Sequence, residues 1–338
     1  MSNPDPSMTE NRYSPKDLLA VSWEDHRRMR ELCDWLGTPL EVMRTSHRGL
    51  RRYLSLSRLT LKLLSNRRPR AVFLQNPSLI LAVLVLVTRR LFGIERVIMD
   101  AHNEAVTPFT HAYWPITMLT RFALKHADTT VVTNAALAGI VSATGGRPLI
   151  LPDRLPTPPV EGRRMSPRPV LSVMVVATFA ADEPIADIAA AATQLGSAFS
   201  FAITGNSKKC PPAIRDNLPP NVRLTGFLPE HDYWQLMAEC HVVLDLTLKP
   251  DCLVCGAYEA LALGKPMVLT GNAASIDLFG KFAVFPDDCS APAIARALES
   301  LRSSYPSVEK RTLDERPLFA ERWRAAAASL GTALGRHQ

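Results

Sequence analysis

The chain has no hydrophobic run long enough to cross a bilayer. Leu79 to Val87 is unbroken but far short of the roughly 20 residues a span needs, and it is expected as a helix behind a sheet. The first twenty residues are polar, with no apolar core of a secretory leader. The six cysteines have no disulfide-framework spacing, so a cytoplasmic protein with free thiols is expected. Cys252 and Cys255 form a lone CxxC, and without a second pair no zinc site is expected. After the first apolar strand the chain reads Ser22-Trp23-Glu24-Asp25-His26-Arg27-Arg28, which lacks the glycine-rich turn of a dinucleotide fingerprint. No period of 20 to 50 residues repeats, which excludes a solenoid.

What is present describes an ordinary globular chain. Its 338 residues are 47% apolar and 21% charged, enough for about two domains. Short apolar segments alternate with helical patterns. Strands are expected at Leu18–Trp23, Leu40–Met43, Ala71–Gln75, Val97–Ala101, Thr130–Thr133 and Leu149–Leu151, with a helix from about Asp25 to Leu36. Prolines then crowd Pro152 to Pro169, which reads as a linker. The alternation restarts with strands at Val170–Ala177, Phe199–Thr204, Val222–Thr225, Val242–Leu246, Met267–Leu269 and Phe282–Phe285. Helices are expected at Ile185–Leu195, Asp232–Glu239, Ala257–Leu263, Ala291–Leu301 and Leu318–Leu334. Such alternation gives parallel sheets with crossover helices. The expected division is 1–152, a linker over 153–169, and 170–317.

The richest stretch is Asp251-Cys-Leu-Val-Cys-Gly-Ala-Tyr-Glu259, followed by a helix that Gly264-Lys265-Pro266 halts before the next strand. A loop, a helix start and a strand in that order make an anion site. The backbone N–H groups around Gly256 and Ala257 are expected to point outward, and the helix dipole adds partial positive charge. A diphosphate suits that position, with Glu259 accepting hydrogen bonds from ribose hydroxyls and Asp251 reaching past the far phosphate. Thr204-Gly205-Asn206-Ser207-Lys208-Lys209 and Leu246-Thr247-Leu248-Lys249 place Lys208 and Lys249 at neighbouring strand exits, where they serve phosphate or stand as solvated loop charges. The exit Ala177 to Pro184 has no cation. Met99-Asp100-Ala101-His102-Asn103-Glu104 is a dense polar cluster after a strand. His102 there is suited to proton transfer or to packing, and Asp100 to orienting it or to capping a turn.

The acid pair and its spacing resemble the donor-site signature of family 4-like glycosyltransferases, Glu, seven residues, Glu, with Asp251 in place of the first Glu. The order Thr178-Phe179, Asp182-Glu183-Pro184, Ile203-Thr204-Gly205, Leu224-Thr225-Gly226-Phe227, Tyr258-Glu259-Ala260-Leu261 and Gly264-Lys265-Pro266 is similar to a bacterial surface-polysaccharide branch. The resemblance implies an α/β protein of the GT-B fold, two Rossmann-like domains facing a central cleft, with a C-terminal helix at about 318–336 crossing back to the first. It implies a glycosyltransferase, metal-independent and retaining, with a nucleotide-sugar substrate and no cofactor. Glu259 would bind the ribose and Asp251 the transferred sugar. Thr204 and Gly205 would contact the nucleotide, and Phe227 and Leu228 the base. His102, with Asp100, would touch the donor sugar or the acceptor. Asp25, His26 and Glu104 would line the acceptor pocket for a glycan or polyprenyl-linked acceptor. A non-catalytic protein with a degenerate donor site and a nucleotide-sugar epimerase are the alternatives.

The net charge of +7 is concentrated. Between Arg44 and Arg70 stand nine Lys or Arg residues and no acid. Arg48, Arg51, Arg58 and Lys62 share one helical face, with Leu50, Leu54, Leu61 and Leu64 expected opposite. This suits an anionic membrane surface, and so a peripheral position on the inner face of the cytoplasmic membrane, or else a solvated face. Nucleic acid is not expected, since Tyr53 is the sole aromatic there and no nucleic-acid fold signature accompanies it.

Overall fold

Runs that are apolar at every position, such as Leu18–Val21 and Ala71–Leu74, cannot leave one face to water, so their strands must be covered on both sides. The structure, a computed structural model, describes residues 13–14, 16–76, 78–106, 114–165 and 169–335. The described residues form two compact units. Met1–Arg154 with Arg322–Gln338 is one, and Leu155–Glu321 the other.

The first unit runs β1 (Leu18–Ser22), α1 (Arg27–Trp35), β2 (Leu40–Val42), α2 (Gly49–Arg67), β3 (Ala71–Asn76), α3 (Leu79–Phe92) and β4 (Arg96–Ala101). It continues with α4 (Asn103–Val106), α5 (Trp114–His126), β5 (Thr129–Val132), α6 (Ala135–Ala143) and β6 (Pro148–Ile150). The strands form a parallel sheet in the order β2-β1-β3-β4-β5-β6. Leu19, Val21, Val72, Leu74, Val97 and Met99 pack one face under α2, α3, α5 and α6. Leu18, Ala20, Ala71, Phe73 and Ile98 pack the other, under α1 and residues Trp323 to Leu334.

The second unit runs β7 (Leu171–Val175), α7 (Ile185–Leu195), β8 (Phe199–Thr204), α8 (Pro212–Arg215), β9 (Val222–Gly226), α9 (Glu230–Glu239), β10 (Val242–Asp245), α10 (Cys255–Leu263), β11 (Met267–Leu269), α11 (Ala273–Phe279) and α12 (Ala291–Ser303). A last helix, α13 (Tyr305–Ala333), begins in this unit and ends in the first. The parallel sheet has the order β11-β10-β7-β8-β9. Counted from β7 this is the Rossmann order 3-2-1-4-5, whose direction of winding switches between β7 and β10.

Three expectations change. Phe282–Phe285 supplies only an isolated bridge, Val284 to Val268, because a chain turning out of α11 reaches the sheet edge at one residue. The last helix does not start after Pro317 but runs through it from Tyr305. The proline-rich stretch is no free linker where it is described, because Leu155 and Val160 pack on the second unit's core. Lys265 adds a tie there, its buried ammonium donating to the carbonyls of Arg163 (2.7 Å) and Cys240 (3.0 Å).

Tyr258, Phe279, Phe282 and Phe319 form an aromatic cluster around α10, with Phe279 and Phe319 parallel at 6.3 Å. Phe279→Ala, truncating a fully buried ring at its centre, is expected to cost about 3–5 kcal/mol in urea unfolding.

Candidate functional site

In parallel sheets ligands gather beyond the carboxyl ends of the strands, at the point where winding reverses. In the second unit that point lies between the loops leaving β7 and β10, beside the start of α10. An acid ends β10. Asp245 is buried, and its Oδ2 accepts the Gly256 N–H at 2.9 Å. The close approach demands glycine, since a Cβ at position 256 would strike the Asp245 carboxylate and Val176. Burial pushes the Asp245 carboxyl up to about 8, with the charges of Glu259 and Glu183 adding to the rise and the Gly256 N–H opposing it. Near neutral pH Asp245 is therefore largely uncharged, and the positive end of the α10 dipole is left uncompensated by it.

The β7 loop is also held by an acid. The carboxylate of Glu183 accepts both the N–H and the hydroxyl of Thr178 (3.0 and 2.7 Å) and the N–H of Phe179 (2.7 Å). That turn sets Phe179 at φ +60°, a left-handed conformation. Asp182 joins the two loops, taking the Thr247 hydroxyl at 2.6 Å, facing Lys249 at 3.6 Å, and offering its carbonyl to the Leu248 N–H. One turn into α10, Glu259 accepts the Tyr233 hydroxyl at 2.6 Å. Burial and that carboxylate push the Tyr233 phenol well above its usual range, so it stays a donor. Asp251 adopts φ +50° in the loop before α10, and the carbonyl of its neighbour Cys252 accepts from Asn272.

In the first unit winding reverses between β1 and β3. His26, after β1, and His102, after β4, lie with ring centroids 4.5 Å apart. His102 Nε2 stands 3.6 Å from Asp100 Oδ2. Asp100, buried at the end of β4, is held mainly by Arg28 of α1, whose Nε reaches both its oxygens at 2.9 and 3.2 Å. The rest of the Arg28 guanidinium bonds Asp153 and the Leu151 carbonyl. Burial opposes the Arg28 charge, but the two carboxylates outweigh it and hold the group charged. Burial, and then the His102 charge, lower the His26 pKa. Among the described residues His26 Nδ1 and His102 Nε2 are buried with no hydrogen-bond partner. Two such nitrogens, one on a ring kept neutral, suit contact with a hydroxyl-bearing ligand.

No protein-family model matches this sequence, and no curated protein matches it. Solved structures do. HepE of Anabaena, crystallised with UDP, aligns over 94% of this chain and 99% of its own, with a TM-score of 0.72 and 12% identity. Sucrose-phosphate synthase of Thermosynechococcus elongatus aligns over 86% and 79%, with a TM-score of 0.67 and 14% identity. A glycosyltransferase of Rickettsia africae aligns over 93% and 88%, with a TM-score of 0.67 and 9% identity. The chain has the GT-B fold.

Within that fold the expected residues divide. Gly256, Ala257 and Glu259 lie in the first turns of α10, and Lys249 and Asp251 in the loop before it, with the Lys249 ammonium 3.6 Å from Asp182. The N–H groups of Gly256 and Ala257 are not open donors, however, because Asp245 takes one and the Val254 carbonyl the other. Thr204 is buried as a strand staple, its hydroxyl donating to Val175 O at 3.0 Å. Gly205, at φ +102°, passes so close to the Ala177 carbonyl that no side chain fits. Lys208 is exposed in a short 3-10 turn. Phe227, 83% exposed, and Leu228 follow β9, two strands from the switch. In the first unit His26, His102 and Asp100 cluster, whereas Asp25 is tied to Arg30 and Arg44, each at 3.2 Å. Glu104 lies in α4, and its side chain is outside the described residues. Among the described residues no three His, Cys, Asp or Glu side chains gather as metal ligands would.

Sequence reasoning passed over Arg28, Glu183, Tyr233 and Asp245. Asp245 left a signal, an acid inside the apolar run Val242–Leu246. Tyr233 and Arg28 left none, since their partners stand 26 and 72 residues away.

Two outcomes are expected. Removing Arg28 by Arg28→Met leaves Asp100 and Asp153 without their cation, and unfolding should show a loss of about 3–5 kcal/mol. For Asp245 the folded value lies above the unfolded one, so between about pH 4 and about pH 8 the native state holds the extra proton and stability falls as pH rises. Asp245→Asn removes this slope. Melting curves at pH 5.5 and 8.5 should show the variant gaining a few degrees on the wild type at the higher pH.

Proposed function

We propose that the chain is a hexosyltransferase that moves a sugar from a nucleotide-sugar donor to a glycan or polyprenyl-linked acceptor in bacterial surface-polysaccharide assembly. The observation that carries this reading is the start of α10 at the Rossmann switch, with Glu259 one turn in, Asp251 in the preceding loop and Lys249 beside it. Solved GT-B neighbours, HepE with UDP and with UDP-glucose among them, support a nucleotide-sugar ligand. The donor diphosphate lies at the positive end of α10 near Lys249, with Lys208 at the adjoining exit. Neutral Asp245 spares it a repelling charge. Glu259, oriented by Tyr233, receives the ribose hydroxyls, and Asp251 meets the sugar. The leaving diphosphate is stabilised by the helix end and the lysines, without a metal ion, and the anomeric configuration is retained. His102 and His26 contact hydroxyls of donor sugar or acceptor. The basic helix α2 brings the protein to an anionic membrane surface on the cytoplasmic side.

A second reading has its own observation. Glu183 and Asp245 already occupy the backbone donors at both switch-point loops, which favours a binding protein whose donor site has lost its chemistry. Thermal shifts with UDP, GDP, ADP, CMP and their sugars, with and without Mg²⁺, test both. Stabilisation by one nucleotide without Mg²⁺, lost in Glu259→Ala, is the expected result. Asp251→Ala should keep the nucleotide shift and lose turnover at least tenfold. Nucleotide binding without transfer or donor hydrolysis would select the second reading, and no shift with any nucleotide would remove the first.

A further inference from the structure

Helix α2 does not have the two faces its sequence suggests. Its buried stripe is Leu56, Thr60 and Leu64, while Leu50 (75% exposed) and Leu54 stand in solvent among the cations. The same pattern extends to its neighbours. Helix α2 adjoins α3, and α3 adjoins α5, all on one face of the first unit's sheet. Val87 and Leu91 of α3 and Trp114 (74% exposed) and Met118 of α5 are exposed as well. The 19 residues of α2, the 14 of α3 and the 13 of α5 contain no Asp or Glu. Among the described residues Arg48, Arg51, Arg58 and Lys62 of the α2 face, Arg90 of α3 and Arg121 of α5 have no acid within ion-pair distance, whereas Arg52 and Arg67 of α2 and Arg89 of α3 pair with acids outside these helices. A surface cavity of about 380 Å³ on α2 is lined by His47, Arg51, Leu54 and Arg58.

We propose that the α2–α3–α5 face of the first unit is a docking surface for an anionic lipid bilayer, with Trp114, Val87 and Leu91 entering the acyl boundary and Arg51 and Arg58 holding lipid phosphates. The choice of occupant follows from the mixture of groups. A polyanion such as RNA rewards the cations but not the burial of large aliphatic side chains. A protein partner rewards the apolar groups but would have to supply acids against every cation. An anionic bilayer rewards both at once, its headgroups pairing the guanidinium groups and its interface taking tryptophan and leucine. An exposed tryptophan at a helix end is placed where the headgroup level accepts an amphipathic ring. The proposal deepens the membrane reading of α2 given above and is independent of the sugar-transfer chemistry.

Trp114 makes it testable in the full-length protein. Trp23, Trp234 and Trp323 are buried and Trp35 is partly buried, so Trp114 is the indole that lipid reaches. The protein is expected to co-sediment with phosphatidylglycerol vesicles at low salt at least tenfold more tightly than with phosphatidylcholine vesicles. Lipids brominated in the acyl chains should quench its fluorescence, and Trp114→Phe should abolish that quenching. Arg51→Glu with Arg58→Glu, and separately Val87→Asn with Leu91→Asn, should each weaken vesicle binding at least fivefold while melting temperature and any nucleotide shift stay unchanged. Vesicle binding without quenching of Trp114, insensitive to the α3 pair, would overturn the three-helix surface in favour of charge contact through α2. Equal affinity for an RNA duplex would overturn the bilayer as occupant. Absence of vesicle binding at low salt would end both membrane readings and leave the nucleotide experiment to judge the enzyme.

Discussion

Every strand pair named in the two sheets is parallel. In each unit this sends all the strands' carboxyl ends to one edge, each followed by a loop and commonly a helix start. The interior of such a strand is covered on both faces and is mostly apolar, so buried polar side chains gather toward its end. Ser22, Asp100, Thr204 and Asp245 end or nearly end their strands and are buried, as is Gln75. Each has a partner close by. Ser22 and Gln75 bond each other, Thr204 bonds the neighbouring strand, Asp100 bonds Arg28, and Asp245 bonds Gly256. The candidate sites are the outermost layer of these edges.

Buried acids at the two edges are handled in opposite ways. Asp100 has a guanidinium against it, and a second acid, Asp153, shares that cation. Desolvating three charges is costly, but each has a partner of opposite sign and Arg28 has a further carbonyl, so the ionised arrangement holds. Among the described residues Asp245 has no cation as an ion-pair partner, and two acids, Glu259 and Glu183, have charges that oppose its ionisation. With the Gly256 N–H as its donor among the described residues, the less costly state is the protonated one. The first solution makes a rigid anchor beneath the histidine pair. The second leaves a helix start with its dipole uncompensated by a buried carboxylate.

Elements fixed by local composition were legible in the sequence. Ile185–Leu195, Phe199–Thr204 and Met267–Leu269 lie where the apolar periods place them, because burial on both faces or one leaves an unmistakable spacing. Phe282–Phe285 looks identical by composition, yet pairing is settled by the sheet edge it meets, which composition does not encode. Pro317 marks a helix start in isolation, whereas packing of Phe319 and Trp323 on either unit's core carries the helix through it. The site was legible where its residues are sequential, as from Asp251 to Glu259. It was hidden where a side chain reaches across the sheet, as with Tyr233 on Glu259 or Arg28 on Asp100 and Asp153.

Helix α3 shows why the surface of the first unit needs an explanation beyond folding. A helix covered on one side needs an apolar stripe of about three positions in seven. Leu81, Ala82, Val85, Leu86 and Phe92 supply that stripe and are buried. Ile80, Val87 and Leu91 lie off it and face solvent, as do Leu50 and Leu54 on α2. Leaving these side chains in water contributes nothing to the fold and raises the tendency to associate. An acid anywhere among the three helices would offset their charge and steady the surface at little expense, yet none is present. Excess apolar area and unpaired cations on the same three helices are opposite departures from a solvated surface. An anionic bilayer removes both at once, the apolar area by burial and the charge by pairing.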